Sequence, residues 1–514
     1  MTLHKISIGV IIVHLIIFFV YLVYIFYVPK QSASGTVSID SSLNLTDYGF
    51  GPNKRLLIFD LTHIGSADKI HSTDKDFAIL TWGEGGQFES QTVGIELKGD
   101  KRPKLNYAFE FWEPKDDTSP CVSVETCDDD KVELFDFGEK YEDYILNGGF
   151  IEPTFVRDAI VTKFHGSILE KRLVEVLFVI DGHYTYEGVY LLGPAIQRRV
   201  LEKTLGWDAS GKKEDCDDED YDPTKVGYIL EYTTDRIGLF KSKECPIFKN
   251  NIKMRYPKCD FYDEAEIAPC RQAYIDETNR YIDKINGEDL SQLDLNSFVN
   301  TYLLEMFMRD GDFPYGSQYF HVNPDTGLLH SGPHWDYDRA YWKFIKHSWH
   351  LVDVYNSKTL PLWKKMGHSE EFAAAVRASR TIIQNNTHAA LAIISERQDQ
   401  LSKGYFDREK ERWHSFGKRL TFKQNFRSLA YNFVTEDTFE AELHNIRKYF
   451  VKRSEWMLSH LDSFNGYDIR YYNLTGFAVL NMWPFWLSFI VMLSVVIYDV
   501  CWRQKRGKKL LPRI

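Results

Sequence analysis

Met308-Arg309-Asp310-Gly311-Asp312-Phe313-Pro314-Tyr315-Gly316-Ser317-Gln318-Tyr319-Phe320, followed by Gly332-Pro333-His334-Trp335-Asp336-Tyr337-Asp338, sets four aspartates within about thirty residues, among glycine, proline and aromatics. Carboxylates at neighbouring loop positions supply the hard oxygen ligands that Mg²⁺ or Mn²⁺ needs when it also binds phosphates, with positions left open for water and nucleotide. A further carboxylate can orient a nucleophilic hydroxyl. In an extended chain Asp336 and Asp338, two apart, point to the same face. Acidic turns also cap helices and solvate loops, so these residues alone do not decide the chemistry.

Upstream, short β-like runs are separated by turn residues: Arg55 to Phe59, Phe77 to Leu80, Val93 to Leu97 and Tyr107 to Phe111. Val156 to Leu173 has helical spacing. Val174 to Ile180 and Gly188 to Leu192 then read as two strands joined through the turn pair Asp181-Gly182. A polar insertion, residues 208 to 225, holds Glu214-Asp215-Cys216-Asp217-Asp218-Glu219-Asp220. It lacks the ligand spacing of a Ca²⁺ loop and reads as a solvated acidic loop. From Leu290 through Met308, and from Glu370 to Leu461, the pattern is helical. A β-rich part followed by an α-rich part predicts an α+β fold of two lobes with a site between them. No internal repeat is visible.

The ends fix the expected topology. Ile6 to Val28 is almost wholly apolar, and at about 1.5 Å per residue it spans about 35 Å, enough for a transmembrane helix. A cleaved signal peptide is the competing reading, with Ser32-Ala33-Ser34-Gly35 as a weak cleavage context. A second apolar segment covers residues 477 to 500, and Arg503, Lys505, Arg506, Lys508, Lys509 and Arg513 follow without an acid between them. By the positive-inside rule the C-terminus is cytoplasmic, and with two spans so is the N-terminus. The expected organisation is a short cytoplasmic start (1–5), a transmembrane helix (6–28), a linker (29–53), a lumenal or extracellular domain (54–465), a second transmembrane helix (477–500) and a basic cytoplasmic tail (501–514). Glycosylation acceptors at Asn44, Asn385 and Asn473 all fall in the middle section. So do Cys121, Cys127, Cys216, Cys245, Cys259 and Cys270, an even set that permits up to three disulfides with the pairing open. Cys501, at the membrane edge, is a candidate for palmitoylation. The net charge is −11, and the six basic tail residues leave −17 for the rest, which argues against nucleic acid as a partner. A 15% aromatic content indicates a packed domain.

The aspartate-bearing stretch resembles the signature of the spore-coat protein H (CotH) kinase-like family: an Asp, then Ser or Asn five residues on, a short hairpin, and a Gly-Pro-x-Trp-Asp-Phe/Tyr-Asp element. Asp312, Ser317, Gly327 to His330 and Gly332 to Asp338 match in order. Further elements resemble family motifs upstream: Gly94 to Gly99, Pro103 to Tyr107, Asp143 to Leu146 with Arg157-Asp158, Asp181-Gly182 to Leu192, and Gly227 to Glu231. Glu411-Arg412-Trp413 is a looser match. The likeness is good over residues 54 to 345 and weak onward to about 420.

The resemblance implies an atypical protein-kinase fold that uses ATP with Mg²⁺ or Mn²⁺. It implies Asp312 as the aspartate that orients the acceptor hydroxyl, Asp336 and Asp338 as the metal-binding pair, and Ser317 as an assisting ligand. Lys104, and more weakly Arg157, are implied for the nucleotide phosphates. The chain departs from the family where Leu105 follows Lys104, where Gly193-Pro194 follows the strand ending at Leu192, and where Asp310 duplicates Asp312. Two functions of different class therefore stay open. One is a membrane-anchored lumenal kinase acting on Ser or Thr of secretory-pathway or surface proteins. The other is a catalytically degenerate surface adhesion protein of the invasin type, which binds a surface ligand. A metal-dependent hydrolase is disfavoured because His321, His330 and His334 read as packing or hairpin-surface residues.

Overall fold

The fold is that of a computed structural model, which describes residues 37–39, 55–99, 103–116, 120–167, 169–196, 200–202, 227–232, 252–256, 276–277, 279–284, 290–310, 317–338, 340, 361–417 and 436–465. Both apolar end segments, the acidic insertion, Asp312, Asn44, Asn473, Cys216, Cys245, Cys259, Cys270 and Cys501 lie outside these residues. Among the described residues, no helix is long and apolar enough to cross a membrane.

The strands are β1 Val37–Ile39, β2 Arg55–Asp60, β3 Asp76–Glu84, β4 Gln87–Lys98, β5 Asn106–Pro114, β6 Cys127–Asp129, β7 Asp143–Asn147, β8 Arg172–Ile180 and β9 His183–Pro194. The six expected from the sequence, β2 to β5, β8 and β9, are each somewhat longer than their apolar runs. Strands β6 and β7 are not among those expected, and β1 lies within the expected linker, ordered by pairing with β9. Hydrogen bonding runs β9-β7-β5-β4-β3-β2-β8 and returns to β9, so the sheet closes on itself as a barrel; β1 adds to β9 and β6 to β5. Only the β2–β8 junction of this barrel is parallel. Alternation explains why β2 is apolar at successive positions. Leu57 and Phe59 fill the barrel, while Leu56 and Ile58 pack outside it with Leu177, Val179 and Tyr186. Aromatics make up a large share of the interior. Phe59 meets Phe109 edge-on at 5.3 Å, and Phe109 stacks on Tyr144 at 5.6 Å, contacts each worth about 0.5–1.5 kcal/mol beyond area burial. The β8–β9 hairpin turns through Asp181 (φ 50°) and Gly182 (φ 78°), the paired positive φ values of a type I′ turn.

The second lobe is built on α1 Arg157–Val161, α2 Leu295–Met308, α3 Pro361–Met366, α4 Glu370–Arg377, α5 Arg380–Ser402, α6 Asp407–Arg412 and α7 Phe439–His460. With them goes a four-stranded antiparallel sheet of β10 Tyr228–Tyr232, β11 Ile252–Tyr256, β12 Gln318–Val322 and β13 Leu329–His334, in the order β11-β10-β12-β13, with α2 packed on β13. Asp294 caps α2 by accepting from the Ser297 amide at 2.8 Å. At its other end the orphan carbonyls of Met306 and Phe307 accept from Arg453 Nε (2.6 Å) and Tyr449 Oη (3.0 Å) of α7. This anchors the helix that leads into the aspartate stretch.

Two expectations change. The helix expected over Val156–Leu173 is only one turn and a half, Arg157–Val161. The helix ends at Val161; farther on Gly166 takes φ +78°, where a Cβ would fall 2.8 Å from Asn300 Nδ2, and the chain then enters β8 at Arg172. One disulfide, Cys121–Cys127, closes the loop before β6, in part bearing out the cysteine reading. Asn385 lies exposed on α5.

Candidate functional site

Gln318 pairs with His334 across β12 and β13, so the residue before one strand and those after the other meet at the same sheet end. There Ser317 Oγ donates to Asp336 Oδ2 at 3.3 Å. Strand β13 stops at His334, and Asp336 has φ 66°, so the same-face alternation expected for Asp336 and Asp338 does not apply. Ser317 (φ 57°) and Arg309 (φ 49°) share this left-handed backbone. It costs a non-glycine residue of order 1–3 kcal/mol and persists only where the surroundings impose it. Gly332-Pro333 is a cis peptide. Asp310, just past α2, bridges to Ala340, which brings the two halves of the aspartate stretch side by side. Asp338 is buried and Asp336 is half-buried.

Tyr337, between those aspartates, is gripped at both ends. Its amide donates to Asp158 Oδ1 at 2.7 Å, and its hydroxyl donates to Glu305 Oε1 at 2.5 Å. Asp158 belongs to α1, and its other oxygen accepts from Lys171 Nζ at 2.8 Å and Asn147 Nδ2 at 3.2 Å. The Lys171 ammonium also lies 4.7 Å from the centre of the Trp335 ring. Burial pushes the Glu305 carboxyl up to about 8, so near neutrality it is largely protonated.

Lys104 is elsewhere. Its ammonium is buried, donating to Glu409 Oε1 (2.6 Å) and the Val189 carbonyl (2.7 Å), with the rings of Tyr190, Phe155 and Trp413 around it. Burial drives both partners toward neutrality: the lysine is pushed down and Glu409 up. Glu409 also accepts from the Val189 amide at 2.8 Å, just past Gly188, whose lack of a side chain leaves room for the pair. Arg157 is likewise committed, to Glu152 (3.4 Å) and Glu442 (3.2 Å). The structure thus joins Ser317 to Asp336 and places Lys104 and Arg157 in buried ion pairs. Asp312 falls outside the described residues.

His321 stacks on His330 at 4.8 Å, and its Nδ1 lies 3.0 Å from the Gly332 carbonyl. Burial pushes His321 down to about 3 and His334 to about 4, so these two serve as neutral packing groups; burial also lowers His330, against the pull of the Asp294 carboxylate 3.6 Å away. Among the described residues, no group of three or more His, Cys, Asp or Glu side chains is arranged to hold a metal ion. By donor type alone, two carboxylates and a hydroxyl are the hard oxygen ligands that Mg²⁺ takes alongside water and phosphate.

Sequence reasoning missed Glu305, Lys171 and Glu409. Glu305 did carry a signal, as an acid within a largely apolar helix, where an unpaired charge is costly. Glu409, in the wholly charged run Asp407–Arg412, carried none, and neither did Lys171.

A search of curated proteins finds no match. The family model described as CotH kinase protein matches residues 98–457, and this span takes in the barrel from the end of β4, the aspartate stretch and nearly all of α7. The chain belongs to the CotH kinase family.

Proposed function

We propose that this chain is a CotH-like protein kinase that transfers phosphate from ATP to Ser or Thr of proteins in the secretory pathway or at the cell surface. The observation that carries this is the Ser317–Asp336 contact, at a loop end where left-handed backbone and the Tyr337 contacts impose the geometry. Asp336, Asp338 and Ser317 would hold Mg²⁺ or Mn²⁺, which when bound neutralises charge on the phosphoryl oxygens. Asp312 would accept a hydrogen bond from the acceptor hydroxyl and orient it for attack. Lys104 and Arg157 are enclosed with carboxylates of their own, so the phosphates are assigned to the metal rather than to either side chain.

The same enclosure of Lys104 supports a second function, a degenerate adhesion protein that keeps the aspartate loop for folding. Radiolabelled ATP separates the two. With Mn²⁺ and casein, the wild type labels itself or casein, and Asp312→Asn does not. Labelling at the level of Asp312→Asn would leave the adhesion function.

The domain is proposed to face the lumen or the exterior, held by residues 6–28 and 477–500, on the strength of the basic tail and the sequons. Glycosidase treatment of the expressed chain should increase its gel mobility, and unchanged mobility would contradict this placement.

A further inference from the structure

We propose that Asp158 is a positioning residue for the metal-binding loop, holding Asp336 and Asp338 in place through Tyr337. This rests on the kinase assignment of that loop. Asp158 lies 179 residues from Tyr337 in sequence, yet accepts from its amide at 2.7 Å. Tyr337 follows Asp336, whose φ is 66°, and lies beyond β13, which ends at His334. A carboxylate acceptor makes the bond from its amide charge-assisted, stronger than a neutral one. The second oxygen of Asp158 is held by Lys171 and Asn147, so the carboxylate cannot rotate away without breaking three contacts. Lys171 in turn lies over Trp335, the residue before Asp336. At the opposite end of Tyr337 the hydroxyl is fastened to Glu305 on α2.

One residue, flanked on both sides by the proposed ligands, is therefore fixed at its backbone from α1 and at its side-chain tip from α2. Metal sites depend on such outer contacts, whose loss commonly weakens affinity about 10–100-fold. The arrangement also links the lobes. Asn147 ends β7 and Lys171 immediately precedes β8, so two barrel strands bear on the loop through one carboxylate.

The test is equilibrium binding of Mn²⁺ and ATP to the full chain, titrated in Mn²⁺ at fixed ATP, with the thermal midpoint of each metal-free protein recorded alongside. Asp158→Ala should raise the Mn²⁺ needed for half-saturation by about tenfold or more. Asp158→Asn, which keeps an acceptor for the Tyr337 amide, should return it to within about threefold of wild type. A residue that merely supports the fold would lower the midpoint and the amount of active protein without moving the half-saturating Mn²⁺. If Asp158→Ala does not fold, Lys171→Met, which frees the second oxygen of Asp158, should raise the Mn²⁺ requirement several-fold. Unchanged Mn²⁺ dependence in folded Asp158→Ala, or in Lys171→Met where the first variant fails to fold, would overturn the positioning role and leave the kinase assignment intact. A wild type that binds neither Mn²⁺ nor ATP would overturn both.

Discussion

The Lys104 ammonium and the Glu409 carboxylate, 305 residues apart in sequence, meet at 2.6 Å beneath the barrel, where both are buried. The lysine enters just before β5 and the glutamate lies on α6, so the pair ties the barrel to the helical lobe. Breaking one side of a buried pair leaves the other charge without compensation, at a cost of about 3–5 kcal/mol. Glu409→Gln should destabilise the protein by that order in urea unfolding. The double variant Lys104→Met with Glu409→Gln should recover part of the loss. A double variant no more stable than Glu409→Gln alone would contradict the pairing.

Gly188 admits that pair. A Cβ there would fall 2.8 Å from Lys104 Cε and 2.9 Å from Glu409 Oε2, at a backbone φ of 150°. Gly188→Ala should therefore cost about 2–4 kcal/mol. Gly182→Ala serves as the comparison, since no atom lies within 4 Å of its added carbon and only the φ of 78° is penalised. It should cost about 1–2 kcal/mol. Equal losses in denaturant titration would refute the crowding at Gly188.

Glu187 predicts a pH dependence. Burial pushes it from 4.5 up to about 7, against the opposing pull of Arg412 and Lys104; Tyr107 and Tyr190 donate to it at 3.3 Å each. With the folded value above the unfolded one, the native state binds more protons between about pH 4.5 and 7. The contribution is full below that window and is lost as pH rises through it, by about 3 kcal/mol in order of magnitude. In Glu187→Gln the slope of stability against pH over that range should flatten. A slope unchanged from wild type would exclude Glu187 as its source.

Strands β2 to β5, β8 and β9 were legible because a barrel lined on both sides by apolar groups leaves unmistakable runs, such as Arg55 to Phe59, and because Asp181-Gly182 punctuates the hairpin. Ser317 and Asp336 were legible by motif, and the geometry joins them. Lys104 was legible as a residue but not in its setting, because Glu409 is set by tertiary packing of α6 on β9 and leaves no local trace. The false helix after Val156 had the right apolar period. The helix nevertheless ends at Val161, ahead of Gly166 at φ +78° and the start of β8.

The Cys121–Cys127 disulfide closes a short loop against Trp112. By chain entropy a loop of this length contributes about 2 kcal/mol. The paired Cys121→Ser, Cys127→Ser variant should lose about that much in urea unfolding without reducing transfer of label from ATP. Full retention of stability would show that the hydrogen bonds of β6 to β5 hold the loop unaided.

The initial rate of phosphoryl transfer from ATP at saturating Mn²⁺, compared between the wild type and Asp336→Asn, bears most directly on what this protein does. Loss of a group that acts on transition-state charge costs about 10²–10³ in rate, so Asp336→Asn should be slower by at least about 100-fold while keeping its fold. Equal rates in the two proteins, or no transfer by either, would contradict a phosphotransferase site built on Asp336.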